Sequence, residues 1–99
     1  MKKGWQKIKN QVLGKEYDLS TVFADNALMK ELNKTYRKKA EPANVLSFAL
    51  SKKEGEIFIN KKFEKQKYSD YLFVHSLLHL KGFKHGKKME TEEKKIIKN

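Results

Sequence analysis

An α+β or mixed α/β fold, with a small mixed sheet of three or four strands flanked by helices, is what this sequence predicts. Three observations carry the prediction. The apolar residues switch between helical and strand periods in the order α-β-α-β-β-α-α, which calls for a sheet covered by helices. The chain has 99 residues, 38% of them hydrophobic, which suits a single domain over residues 1–99 with one modest core. No repeat, low-complexity segment or internal linker interrupts the pattern, and the only proline is Pro42.

The elements follow in order. Trp5, Ile8, Val12 and Leu13 recur at helical spacing, so residues 4–14 read as a short amphipathic helix closed by Gly14. Residues 17–24 alternate as a strand, with Tyr17, Leu19 and Phe23 on one face. Asp25 is placed to cap a helix over residues 26–38, whose inner stripe is Leu28, Leu32 and Tyr36. Glu41-Pro42-Ala43 breaks that helix. Val45 to Leu50 then form a strand, Gly55 marks a turn, and Glu56 to Asn60 form a second strand of a hairpin. Phe48, Ile57 and Phe58 are core residues of these strands. Residues 64–82 give the strongest helix, with Tyr68, Tyr71, Leu72, His75, Leu78 and His79 on one side and Gly82 as a left-handed cap. Residues 87–98 form a last, charged helix anchored by Met89, Ile96 and Ile97.

Composition narrows the function. Cysteine is absent, which excludes disulfides, thiolate nucleophiles and Cys-based zinc sites and suits a reducing compartment. No apolar run approaches the ~18 residues of a membrane span, and no signal-peptide core follows the charged N-terminus, so a cytoplasmic protein with no membrane partner is expected. The 23 basic residues against 12 acidic give a net charge of +11 and a pI near 9.8. A field of that sign attracts phosphate polymers, nucleic acid above all. Yet 22 of the 23 are lysine, a skew that codon bias also produces.

All three histidines fall within eleven residues, His75-Ser-Leu-Leu-His79-Leu-Lys-Gly82-Phe-Lys-His85. His75 and His79 are four apart on a helix, so their imidazoles share a face. Gly82 stops the helix and lets His85 return toward them, which puts a metal site at the end of the long helix. Three imidazoles leave a fourth position for water, the pattern of a catalytic rather than a structural zinc, and zinc acidifies such a water into a nucleophile near neutral pH. The plainer alternative is one buried, hydrogen-bonded histidine and two solvated ones. The spacing equals that of the metzincin proteases, H-E-x-x-H-x-x-G-x-x-H, but Ser76 stands where those enzymes carry their glutamate base. The ligand spacing is protease-like; the chemistry is not.

Longer stretches carry a resemblance. HSLLHLKGFKH at residues 75–85 is similar to the signature H-G-x-L-H-L-x-G-Y-D-H of the YbeY family of rRNA-maturation endoribonucleases. LNKTYRKKAEPANVLSF at residues 32–48 resembles that family's L-N-x-x-Y-R and P-T-D-V-L-S-F, Gly55-Glu56-Ile57 its G-D-I, and Met89 to Glu93 its Met with acidic followers. Four departures stand out. Ser76 replaces a Gly, Asn44 an Asp, Ala49 a Pro and Lys84 an Asp, so no carboxylate is available just before His85. Relatives also begin with a strand, whereas only Met1, Lys2 and Lys3 precede the first helix, and the sheet is expected to lack that edge strand.

The resemblance implies a zinc-dependent, single-strand-specific endoribonuclease of rRNA processing. It implies one Zn²⁺ per chain on His75, His79 and His85, with ribosomal RNA as partner and ribosomal subunit proteins as further partners; the oligomeric state is left open, with a monomer expected. It also implies that Arg37, the only arginine, lines the cleft as a catalytic residue. A guanidinium grips phosphate through two parallel hydrogen bonds, which lysine cannot copy. The residues alone fit a helix-end ion pair of Arg37 with Glu41 equally well. Asn33 and Ser47 stand as cleft-lining or as loop and core hydrogen-bonding residues, and Lys38, Lys39, Lys61 and Lys62 as contacts to the RNA backbone. Two other functions remain open: a minimal zinc peptidase, against which Ser76 argues, and a non-catalytic ribosome-assembly factor with a structural metal.

Overall fold

The computed structural model describes residues 2–98. Its elements are α1 (Trp5–Leu13), β1 (Asp18–Ala24), α2 (Asn26–Arg37), β2 (Val45–Ser51), β3 (Glu54–Asn60), a short 3-10 turn (Lys61–Phe63), α3 (Tyr68–Lys81) and α4 (Lys87–Lys98). The predicted element order holds throughout. The three strands form one mixed sheet in the order β1-β3-β2, with β1 parallel and β2 antiparallel to the central β3. The sequence therefore encodes an α+β fold at the lower end of the expected strand number.

Alternation in β3 divides the core between the two sheet faces. Ile57 and Ile59 face α1, α3 and α4 in a cluster with Trp5, Phe73, Leu77 and Met89, joined from β1 by Leu19 and Phe23. Phe58 faces the other way, against Ala24, Met29, Ala43 and Leu46 under α2. Trp5 stacks on Phe73 at 4.1 Å, and its Nε1–H donates to Asp70 Oδ1 at 2.6 Å, so one side chain docks α1 on α3 through its ring face and its polar edge.

Helix ends follow the chemistry of their residues. The Asp25 carboxylate accepts from the Leu28 amide, capping α2 as its sequence predicts. Lys9 is buried, yet its ammonium donates to the carbonyls of Gly14, Lys15 and Tyr17 just beyond α1. Asn60, also buried, ties the end of β3 to Asn26 and to the Ala43 carbonyl, while its own oxygen accepts from the Lys62 amide.

Several expectations are corrected. The inner stripe of α2 is Met29, Leu32 and Asn33; Leu28 and Tyr36 are exposed, because the sheet meets the helix one position further round. Gly55 lies inside β3 and the hairpin turns at Lys52-Lys53. A methyl group at Gly55 would meet the Tyr17 hydroxyl and the Phe48 carbonyl, so glycine is required there by close approach rather than by turning. The long helix begins at Tyr68, four residues late, after the 3-10 turn. Leu78 leaves the side shared by Tyr71 and His75 and joins the core. In α4 Met89 and Ile96 anchor as expected, but Ile97 is exposed and Glu93 is buried in its stead.

Candidate metal centre

The histidine face of α3 opens on a groove of about 740 Å³, whose opposite wall is built by the end of α2, the loop after it and β2. His75 and His79 stand one helical turn apart at its floor. Gly82 then adopts φ 113°, and its amide and that of Phe83 bond back to Leu78 and His79 carbonyls. This closure folds residues 83–85 back over the helix end, and His85 joins the other two. The three residues' ligand atoms all lie within 4.8 Å of one another.

Proton placement on these rings prepares them for a cation. His79 Nδ1 lies 3.2 Å from the Phe83 carbonyl oxygen, which only accepts, so the ring proton belongs on Nδ1 and the Nε2 lone pair faces inward. That Nε2 lies 3.1 Å from His75 Nε2. Behind His75, the Glu93 carboxylate of α4 reaches to 3.5 Å from Nδ1, and neither Nδ1 nor Glu93 Oε2 has a hydrogen-bond partner. The carboxylate thus stands behind the ring, on the side away from His79. Burial first, then the charges of His75 and His85, lower the His79 pKa below its usual 6.5 and keep the ring neutral near pH 7. Three convergent imidazoles, one backed by a carbonyl and one by a carboxylate, are the donor set and supporting shell that suit a borderline divalent ion, so the residues fit a metal.

Arg37, at the last turn of α2, lines the same groove, as do Asn33, Lys39, Ser47 and Ser76. The ion pair with Glu41 is not formed; among the described residues no carboxylate lies within 4.0 Å of the guanidinium. Asn33 serves both of its expected purposes, since it lines the groove and its amide donates to the Glu41 carbonyl at 2.8 Å, shaping the loop. Of the four lysines singled out, only Lys39 lines the groove; Lys61 and Lys62 sit on the 3-10 turn, with Lys62 Nζ 5.1 Å from the Phe63 ring. Sequence reasoning missed Glu93. Its signal was present, as an acidic residue four positions after Met89, one helical turn onward on the same face of α4.

The family model described as Endoribonuclease YbeY matches residues 2–99. This chain belongs to the YbeY family. Among curated YbeY endoribonucleases, one from Clostridium botulinum (strain Kyoto / Type A2) is 30% identical, covering 92% of this chain and 75% of its own. Another, from Aquifex aeolicus, is 31% identical over 91% of this chain and 71% of its own. The fold is similar to the solution structure of TM1509 from Thermotoga maritima, with a TM-score of 0.59 at 22% identity over 99% of this chain and 83% of that one. The YbeY signature at residues 75–85 is thus the segment that carries all three histidines of the groove.

Proposed function

We propose that this YbeY-family domain is a zinc-dependent endoribonuclease that cleaves single-stranded regions of ribosomal RNA in the cytoplasm. The observation that carries the reading is the shared groove: three convergent imidazoles and the chain's only guanidinium line one open cleft.

His75, His79 and His85 would hold the ion, which in such sites supplies Lewis acidity and an activated water near neutral pH. Arg37 binds the scissile or a neighbouring phosphate. Its guanidinium is exposed and unpaired among the described residues, so no competing carboxylate must be displaced first. Two parallel N–H donors then neutralise charge that grows on the phosphate oxygens during scission. Ser76 is buried behind the first histidine and cannot accept a proton at working pH, which disfavours the peptidase chemistry that the metal spacing alone permits.

Incubating zinc-loaded protein with single-stranded RNA, duplex RNA and casein tests the reading. Loss of the single strand alone is expected, abolished by His79→Ala and by chelation. Cleavage of casein, or intact RNA at full zinc occupancy, overturns it.

A further inference from the structure

One lip of the groove carries a row of aromatic rings that the histidine and arginine chemistry does not use. Along α3, Tyr68 and Tyr71 lie nearly parallel, 5.8 Å apart with 14° between their planes. Tyr71 in turn lies 5.7 Å from the His75 ring, tilted by 30°. Phe63 braces Tyr68 edge-on from the 3-10 turn at 4.9 Å. Both tyrosines line the groove and remain about two-fifths exposed, at 41% and 39%. Neither belongs to a core cluster; burial and the neighbouring Glu93 carboxylate raise the pKa of the Tyr71 hydroxyl, while both rings line the groove beside the histidines.

We propose that Tyr68 and Tyr71 form a stacking platform for unpaired nucleobases, which leads a single RNA strand along α3 to the histidine site. The proposal rests on the ribonuclease reading and adds the subsite that selects single strands. Only an unpaired base presents its face to a ring; in a duplex the faces are buried in the stack. The tyrosines are spaced along one helix face by three residues and His75 follows four later, so a strand stacked on them is delivered to the metal end of the groove. Across the groove, Arg37 and Lys39 supply positive charge for the backbone of that strand, offset in part by Glu41. Ring stacking is tolerant of base identity, so the platform selects strandedness rather than sequence.

Binding, measured apart from cleavage, tests this. A fluorescein-labelled, 2′-O-methylated RNA decamer of mixed sequence and an abasic ribose-phosphate decamer of equal length are titrated with the full chain. Tyr68→Leu and Tyr71→Leu keep apolar bulk and remove the π face. Each is expected to weaken binding of the base-bearing strand about fivefold or more, with no change for the abasic one. Tyr68→Phe and Tyr71→Phe are expected to retain the original affinity, which separates stacking from any hydroxyl contact or loss of fold. Equal affinity of the two decamers, undiminished binding by the leucine variants, or equal competition by an unfolded polypeptide overturns the platform. Cleavage is scored separately. A protein that cleaves RNA but binds equally well without the rings refutes the platform alone, whereas ring-dependent binding without cleavage supports it and refutes the nuclease reading.

Discussion

Replacing Glu93 with Gln keeps the size of the side chain and removes its charge, and the structure gives the two consequences opposite signs. The carboxylate is buried, with 7% of its side chain exposed, and reaches His75 Nδ1 at 3.5 Å while its second oxygen has no partner. A buried carboxylate costs folding stability unless it is well paired, and its neighbours here are the His75 ring, beyond good hydrogen-bond distance, and Tyr71. With metal it orients His75 and raises the basicity of the ring. Loss of such a supporting carboxylate costs roughly 10- to 100-fold in metal affinity, about 1.4–2.7 kcal/mol. A 3.5 Å contact is longer than a good hydrogen bond, so the lower end, near tenfold, is expected here. The Glu93→Gln protein should thus bind zinc more weakly in competition with a chromophoric chelator at pH 8. Stripped of metal, it should resist urea as well as or better than the original. If Glu93 only packs α4 against α3, the stripped variant loses stability and its zinc affinity is unchanged; that pair of results refutes the argument.

Four further outcomes follow from the same geometry. Arg37→Lys keeps a charge but loses the bidentate fork, so RNA cleavage is expected to fall by about 10²-fold or more. Because the side chain is exposed and unpaired, the urea midpoint should shift by less than the equivalent of ~1 kcal/mol, and zinc content should persist. Charge reversal at Lys39, the one of the four lysines that lines the groove, should reduce the log–log salt slope of single-strand binding by about 0.7 and by more than reversal at Lys61 in the same titration. Lys9→Met removes the donor shared by three carbonyls and should cost about 2–3 kcal/mol in urea denaturation with metal affinity unaltered. Acid should destabilise the metal-free fold. The folded His79 pKa lies below 6.5, so as pH falls through that value the unfolded chain takes the proton first. The stability present above pH 6.5 is then lost down to the folded pKa, and thermal melts of the original and of His79→Gln across pH 5–8 check the assignment.

Much of the fold was legible because its signals are local. The Asp25 cap, the Gly82 stop and the i, i+4 histidines each need only a few neighbouring residues, and each appears where the sequence sets it. Signals that depend on what lies across the interface failed. The stripe of α2 was misplaced because Leu28 and Tyr36 are apolar enough to mimic an inner face, while the sheet in fact meets Met29 and the polar Asn33. Asn33 could be buried only because the Glu41 carbonyl, eight residues on, satisfies its amide. Likewise Gly55 read as a turn, since nothing local announces that Tyr17, from another element, lies against it.

The candidate site divides along the same line. Its three histidines lie on one helix and the loop that ends it, so spacing alone assembled them. Arg37 reaches the groove from the end of α2, which covers the other face of the sheet, and the residues alone left it between phosphate binding and an ion pair; among the described residues that ion pair is not formed. Glu93 was overlooked for a physical reason. An acidic residue in a lysine-rich helix reads as one half of a surface ion pair, and Glu92, which pairs with Lys95 at 3.6 Å, fits that description. One position further, the helix turns its neighbour inward to His75. A hundred degrees of helix rotation thus separates a solvated charge from a buried one, and only the placement of Met89 in the core says which glutamate it is.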